Sequence, residues 1–212
     1  MRPELLDQAA AHIEPLLSTD ARRVLVGLAG APGAGKTTLS EALARRFRGD
    51  RPEPAAIAIP MDGFHLSQTE LHRLGLSHRK GAPETFDPGG FVHLLRRLRA
   101  ADELVYAPMY SRVVHESIGS AIPVLPGTRL LIIEGNYLLL DGAWRPVRDL
   151  LDLTIYVEAP EGQRVAGLIR RQRSFGLADA AARDWVERSD GANARVIEGT
   201  RANADVILSR AG

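Results

Sequence analysis

The stretch that decides the fold runs from Val24 to Thr38 and reads VLVGLAGAPGAGKTT. Its first part, Val24–Ala29, is a short apolar run that is typical of a buried strand. The glycine-rich segment 30–35 interrupts that run, and a helical pattern follows from Thr37 to Phe47. A strand, a glycine-rich loop and a helix in this order predict the opening unit of a parallel α/β sheet.

Four other apolar runs extend this unit to a sheet of five strands, at residues 55–60, 130–134, 153–158 and 205–208. Runs that are apolar at successive positions suit a parallel sheet with helices on both faces. Helical patterns lie at residues 3–17, 161–174 and 179–187, and another begins at Pro88, with Asp87 as its N-cap. Prolines, a glycine and β-branched residues in segment 105–125 predict an inserted hairpin or loop. The predicted fold class is α/β.

The composition indicates one globular domain spanning residues 1–212, because 45% of the residues are hydrophobic and no linker or repeat divides the chain. A net charge of +1 gives no reason to expect nucleic acid or a membrane surface as a partner. The chain contains no cysteine and no apolar run of membrane-spanning length, and its first residues include acids. We therefore expect a cytoplasmic protein, and the sequence leaves open whether it forms a homodimer.

The glycine-rich segment matches the pattern G-x-x-x-x-G-K-[ST], whose backbone N–H groups cradle phosphates at the start of a helix. Lysine is rare here, because 25 of the 27 basic residues are arginine, and one of the two lysines occupies the required position. The alternative interpretation is a glycine-rich turn without a ligand. The predicted nucleotide-binding residues are Gly30, Ala31, Pro32, Gly33, Ala34, Gly35, Lys36, Thr37 and Thr38.

GTPases, motor ATPases and small-molecule kinases share this loop. A guanine-reading Asn-Lys-x-Asp segment is absent, because neither lysine follows an asparagine. Motor ATPases usually end a strand in Asp or Asp-Glu, whereas the candidate strand here ends in Glu134-Gly135. These features, with the small size, favour a kinase.

Three more segments are selective: residues 61–65 (MDGFH), 79–87 (RKGAPETFD) and 134–140 (EGNYLLL). With them, the chain resembles the P-loop small-molecule kinases related to uridine kinase, phosphoribulokinase and bacterial pantothenate kinase. Within that group it is most similar to bacterial proteins provisionally named fructose transport system kinases. The resemblance implies a P-loop NTPase fold with a small hairpin and an arginine-rich lid, ATP and Mg²⁺ as cofactors, and a small-molecule hydroxyl substrate.

Two carboxylates follow predicted strands, at the edge of the sheet where ligands bind in open α/β folds. Asp62 could accept the proton of a hydroxyl or cap the turn at Gly63, and the resemblance implies the role of catalytic base. Glu134 could bind Mg²⁺ or be a satisfied strand-end carboxylate. The predicted metal site comprises Thr37, Glu134 and Asp62.

On the acceptor side, the resemblance implies His65, Arg79, Lys80, Tyr110, Arg112, His115 and Asn193 as substrate residues. Phosphoryl transfer also needs cations on the transferring group, so we expect at least one of Arg170, Arg171 and Arg173 to act in the lid, the alternative being a solvated helix face. Trp144 and Trp185 are expected to be core or helix-packing residues.

The sequence therefore predicts an ATP- and Mg²⁺-dependent kinase that phosphorylates a small metabolite, such as the sugar fructose. The chain departs from uridine kinases at His65 and Ser111 and from pantothenate kinases at Arg112. A uridine- or pantothenate-type acceptor remains an alternative, as does a nucleotide-hydrolysing switch without a small acceptor.

Overall fold

The computed structural model describes residues 3–19, 22–49, 55–100 and 102–210. Its strands are β1 (Val24–Ala29), β2 (Ala56–Pro60), β3 (Val105–Ser111), β4 (Glu116–Val124), β5 (Leu130–Glu134), β6 (Leu153–Glu158) and β7 (Val206–Ser209). Its α-helices are α1 (Pro3–Thr19), α2 (Lys36–Arg46), α3 (Gln68–Arg73), α4 (Pro88–Ala100), α5 (Arg145–Asp149), α6 (Glu161–Ser174), α7 (Asp179–Trp185) and α8 (Gly191–Glu198).

Five of the strands form one parallel sheet in the order β2-β5-β1-β6-β7, which confirms the five predicted strands. Strand β1 is central, and β5 lies between β1 and β2 although it follows them by some 70 residues or more. In this register Glu134 pairs with Leu28 on one side and with Pro60 on the other. The phosphate-loop strand and both strands that precede the predicted carboxylates therefore end at the same edge.

Helices cover both faces of the sheet, as the doubly apolar strands predict. One core packs α1 and α2 against the sheet through residues such as Ile13, Leu39 and Leu43. The other core lies under α4, α5 and α8 and contains the aromatic side chains of Phe91, Tyr137 and Trp144. Trp144 is thus a core residue, as predicted.

Strands β3 and β4 form the expected hairpin, an antiparallel pair outside the main sheet. The hairpin packs on the 3-10 turn Met61–Phe64 that follows β2. A Cβ atom at Gly63 would lie 2.4 Å from the carbonyl oxygen of Pro108, so only glycine permits this approach. Ser117 of β4 also donates a hydrogen bond of 3.0 Å to the carbonyl oxygen of His65. The two segments that carry predicted acceptor residues are therefore joined.

The helical region after α6 is longer than predicted. Instead of ending at Glu187, α7 continues through a π-helical turn, Val186–Asp190, into α8. Helices α3 and α5, each of six residues or fewer, were not predicted. Within the described part of the chain, no helix combines the length and the apolar character that a membrane crossing requires.

Replacing Gly63 by alanine is expected to displace the hairpin, because the new methyl group would overlap the Pro108 carbonyl. We expect the free energy of unfolding to fall by about 1–3 kcal/mol, as for other overpacked sites, measured by urea denaturation. Gly119→Ala in β4 is the matched control, because nothing lies within 4 Å of a Cβ atom there. Equal effects of the two substitutions would contradict this docking.

Candidate active site

The glycine-rich loop folds closely against β6. Gly30 has φ 146°, and a Cβ atom there would lie 2.4 Å from the carbonyl oxygen of Val157. The loop ends where α2 begins, at Lys36, so the first backbone N–H groups of that helix face the loop. This arrangement is a preformed anion site at a helix N-terminus, as the sequence predicts.

Lys36 is buried, with 7% of its surface exposed. Its ammonium donates hydrogen bonds to the carbonyl oxygens of Gly30 at 2.8 Å and Ala31 at 3.2 Å. Burial lowers the pKa of this ammonium, because the charged form loses its hydration, and the nearby Glu134 acts in the opposite direction. The cation is therefore held on the loop itself, where an anion would meet it.

Glu134 is the second buried charge at this edge of the sheet, 8% exposed. Its Oε1 accepts a hydrogen bond of 3.0 Å from the hydroxyl of Thr37. Burial raises the pKa of Glu134, and the negative charge of Asp62 adds to that shift, whereas Lys36 and the Thr37 hydroxyl oppose it. A carboxylate that is costly to ionise in this environment is suited to bind a cation.

A cleft of about 540 Å³ opens over the loop, and we call it the phosphate cleft. Lys36, Thr37, Glu134 and Asp62 line it together, so the structure brings the three predicted metal residues and the loop lysine to one place. Of the other predicted nucleotide residues, the lining includes Pro32, Gly33, Gly35 and Thr38, and not Gly30, Ala31 or Ala34. A hydroxyl and two carboxylates are hard oxygen ligands, which suit Mg²⁺ when phosphates and water supply the remaining ligands. The residues present therefore fit a Mg²⁺–nucleotide complex.

A second pocket, of about 510 Å³, lies beneath the hairpin, and we call it the hairpin pocket. Tyr110 and His115 of the hairpin region line it, together with Phe175, Leu177 and Trp185 from the α6–α7 region. The two cavities share the following lining residues: Asp62, His65, Lys80, Gly81, Arg112, Arg171, Gln172 and Trp185. Asp62 therefore lies at the boundary between the phosphate cleft, on the side of the glycine-rich loop, and the hairpin pocket.

His65 holds this boundary in place. Its ring packs at a tilt against Phe86, with centroids 4.0 Å apart, and against Tyr110, at 4.7 Å. Nδ1 donates a hydrogen bond of 2.8 Å to the carbonyl oxygen of Asp62. Burial lowers the pKa of His65, so the neutral ring is favoured. The ring fixes the backbone that carries Asp62.

Two of the predicted acceptor residues have other roles in the structure. Arg79 lines neither cavity, because its guanidinium forms an ion pair with Glu84. Asn193 reaches the phosphate cleft, but its side-chain amide donates a hydrogen bond of 3.1 Å to the carbonyl oxygen of Gly81. Asn193 thus anchors the loop that bears Lys80.

Of the three predicted lid arginines, the structure brings only Arg171 to the cavities. Its guanidinium lies 4.0 Å from the Asp190 carboxylate. Arg170 is exposed and lines neither cavity, and Arg173 pairs with Asp179 at 3.4 Å, outside both. The solvated-face interpretation describes these two arginines, because α6 turns their side chains away from the cavities.

Three residues near the site were not predicted from the sequence as parts of it. Arg164 is buried and donates a hydrogen bond of 3.1 Å to the carbonyl oxygen of Pro32 in the loop, and Arg210 lines the phosphate cleft. Arg164 precedes Arg171 by seven residues, about two helical turns, so their shared helix face could have been read from the sequence. Trp185, expected to be a core or helix-packing residue, is instead exposed and lines both cavities.

The parallel sheet, the phosphate loop and the boundary carboxylate define the class of the protein as a P-loop kinase. The model of the Phosphoribulokinase / Uridine kinase family matches residues 25–212, and the chain belongs to that family. Its members are phosphotransferases that act on hydroxyl groups, and the family implies the use of ATP, generally with Mg²⁺.

Several known proteins are similar over most of the chain. "Putative uridine kinase C227.14" of Schizosaccharomyces pombe is 34% identical over 197 residues, covering 89% of this chain and 84% of that protein. "Uncharacterized protein YggC" of Escherichia coli is 36% identical over 194 residues, covering 90% and 80%. The crystal structure of a "putative fructose transport system kinase" from Silicibacter sp. TM1040 superposes with a TM-score of 0.86 at 41% identity, covering 96% and 98%. This likeness confirms the predicted fold.

Arg171→Gln is expected to lower kcat by about 100- to 1,000-fold, because the substitution removes the α6 cation that lines both cavities, where a transferring phosphoryl group would pass. Arg173→Gln is the matched control from the same helix, and we expect kcat to stay within about threefold because exposed ion pairs contribute little. Steady-state kinetics of both variants measure the difference. A larger effect of Arg173→Gln would contradict the placement of the lid.

Glu134→Gln is expected to stabilise the ligand-free protein near neutral pH. Because burial raises the pKa of Glu134, the folded state holds this proton more tightly than the unfolded chain does. The wild type therefore loses stability as pH rises above the ordinary value of 4.5, and the neutral amide avoids this loss. Urea denaturation at several pH values should show that the variant has a larger free energy of unfolding than the wild type, and that this difference disappears towards low pH.

Glu103→Gln, at an exposed glutamate that pairs with Arg97, controls for the removal of one surface charge. An advantage of Glu134→Gln that persists unchanged at acid pH would refute the assignment of the shift to Glu134. With MgATP added, we expect the order to reverse, because a Mg²⁺ ion held by this carboxylate would stabilise the wild type and not the variant.

Proposed function

We propose that the protein transfers the γ-phosphoryl group of ATP, in a Mg²⁺-dependent reaction, to a hydroxyl group of a small metabolite. The observation that carries this proposal is the position of Asp62, which lines both the phosphate cleft and the hairpin pocket. A base at this boundary can reach a hydroxyl on one side and face the transferring phosphoryl on the other.

In the proposed reaction, different residues of the chain bind the phosphates, hold the metal and take the acceptor proton. Loop N–H groups and Lys36 would bind the β- and γ-phosphates, while Thr37 and Glu134 would hold the metal, with Asp62 beside them. Bound Mg²⁺ supplies charge neutralisation at the phosphate oxygens. Asp62 orients the acceptor hydroxyl and takes its proton as the new O–P bond forms, while the bond between the γ-phosphorus and the β,γ-bridging oxygen breaks and ADP leaves. Hydrogen bonds hold the side chains of Lys36 and Glu134 in position before any ligand arrives, so little reorganisation is needed.

Arg171 closes the site from the lid side. Its guanidinium lines both cavities, and its helix faces the hairpin across the hairpin pocket. A cation there stabilises charge on the transferring group, and closure of the lid excludes water that would otherwise accept the phosphoryl. The presence of a pocket of about 510 Å³ on the acceptor side favours a small acceptor over hydrolysis by a switch protein.

For the acceptor, fructose is the first sugar to test, because a similar structure carries a fructose transport system kinase name. Uridine and pantothenate are the alternatives. The exposed aromatic residues Phe175 and Trp185 at the hairpin pocket would accommodate a nucleoside base or an apolar chain as well as a sugar ring.

Asp62→Asn is expected to lower kcat for acceptor phosphorylation by about 100- to 10,000-fold, because the amide cannot take the hydroxyl proton. The KM for ATP should change little. ADP release with Mg-ATP across a panel of sugars, nucleosides and pantothenate measures both quantities. Asp149→Asn, at an exposed aspartate that pairs with Arg145, is the matched control. Acceptor-independent ADP release that survives Asp62→Asn would overturn the proposal.

A further inference from the structure

One of the two lysines has no part in the mechanism described above. The chain uses arginine at 25 of its 27 basic positions, and the lysine of the phosphate loop has a defined role. The other, Lys80, lies between the 3-10 turn Ser77–Arg79 and Gly81. It lines both the phosphate cleft and the hairpin pocket.

The backbone beside Lys80 is anchored from three sides. The carbonyl oxygen of Gly81 accepts hydrogen bonds from the Tyr137 hydroxyl at 2.5 Å and from the Asn193 amide at 3.1 Å. The Gly81 N–H donates a bond of 3.0 Å to the Thr85 hydroxyl. Segments after β5, in α8 and before α4 thus fix the position from which Lys80 extends. Such preorganisation is characteristic of a binding residue.

The ammonium of Lys80 has only neutral partners. It donates hydrogen bonds to the carbonyl oxygen of His115 at 2.8 Å and to Oε1 of Gln68 at 3.4 Å. It also lies 5.5 Å from the centroid of the Tyr110 ring. An ammonium carries three N–H donors, so one remains for a ligand in the pocket. Among residues 3–19, 22–49, 55–100 and 102–210, no carboxylate lies within ion-pair distance of Lys80.

Carboxylates close to this loop are engaged elsewhere. Glu84 pairs with Arg79, and Glu70 pairs with Arg73. Glu116 of the hairpin accepts a hydrogen bond of 2.9 Å from the backbone N–H of Gln68, at the start of α3. The positive charge of Lys80 is therefore left uncompensated while its neighbours are paired.

Positive charges also outnumber negative charges in the lining of the hairpin pocket as a whole. Three cations line it, Lys80, Arg112 and Arg171, whereas Asp62 is the single carboxylate in its lining. Arg171 faces the transferring group, and Asp62 is needed for the acceptor hydroxyl. The lining offers no second carboxylate for the remaining two positive charges, Lys80 and Arg112.

We infer that the acceptor carries an anionic group, a carboxylate or a phosphate, which Lys80 binds together with Arg112. This inference rests on the proposed function and narrows its substrate class to hydroxy acids and phosphorylated hydroxy compounds. A neutral acceptor would give these two cations no anion on the hairpin side of the boundary, whereas an anionic acceptor would supply one there. Tyr110 beneath the ammonium strengthens its orientation without neutralising its charge.

Matched acceptor pairs that differ in the anionic group test this inference: gluconate with glucitol, fructose 6-phosphate with fructose, and pantothenate with its alcohol. We expect the preferred acceptor to be the anionic member of a pair, judged by kcat/KM in ADP release. The first and third pairs report on carboxylates and the second on phosphates. Turnover confined to neutral members would overturn the inference while leaving the proposed kinase activity standing. Absence of acceptor-dependent turnover with every pair would instead count against the proposed function.

Lys80→Gln is expected to raise the KM for the anionic acceptor by about 10- to 100-fold, the range for losing a hydrogen bond from a charged group. The KM for ATP should stay near its wild-type value, and the preference between paired acceptors should collapse. Lys80→Arg keeps the charge and should retain that preference. Arg73→Gln, which removes a neighbouring cation on α3, is the matched control. An equal loss with anionic and neutral acceptors would overturn the inference.

A labelling experiment gives a readout that does not depend on turnover. Because the chain has only two lysines, acetylation by an amine-reactive ester can be followed at each of them by peptide mass spectrometry. At ten times its Kd, a ligand that covers the ammonium should slow the labelling of Lys80 by roughly tenfold, from simple occupancy. Protection by the anionic member of a pair alone is the expected result. Equal protection by the neutral member would contradict it.

Discussion

Two buried charges of opposite sign, the ammonium of Lys36 and the carboxylate of Glu134, constrain everything else at this edge of the sheet. Burying either charge alone is costly, and their partners in the ligand-free protein are loop carbonyls and one hydroxyl. Burial therefore disfavours the charged form of each group, lowering the pKa of Lys36 and raising that of Glu134. A phosphate–metal complex would supply an anion for Lys36 and a cation for Glu134 at once, as the proposed function requires.

The register of the sheet brings these two charged groups together, and the surrounding segments complete the site around them. Because β5 lies between β1 and β2, the loop, Glu134 and Asp62 meet at one edge. The hairpin then closes the acceptor side through its contact at Gly63, and α6 contributes Arg171 from the opposite side. Separate segments thus define the nucleotide side and the acceptor side, so acceptor specificity can change while the phosphate chemistry is retained.

Much of this architecture could be predicted because its causes are local. The loop pattern, the apolar strand runs and the Asp87 cap each lie in a few consecutive residues, and Asp87 does accept a bond from the Gly90 N–H at 2.9 Å. Long-range features could not be predicted from one sequence. Nothing in the chain order shows that β5 inserts beside β1, or that Arg79 pairs with Glu84 while Lys80 stays unpaired. The cavity-facing arginine of α6 also depends on how that helix docks.

The fate of the γ-phosphoryl group tests the central claim most directly. With γ-labelled ATP, Mg²⁺ and the acceptor panel, the label recovered in an organic phosphoester is compared with the label recovered as inorganic phosphate. The account predicts that, with the correct acceptor, ester and ADP form in equal amounts and inorganic phosphate stays at the background of acceptor-free samples. Label appearing as inorganic phosphate at the rate of ADP release, with every acceptor, would contradict the account and identify water as the acceptor.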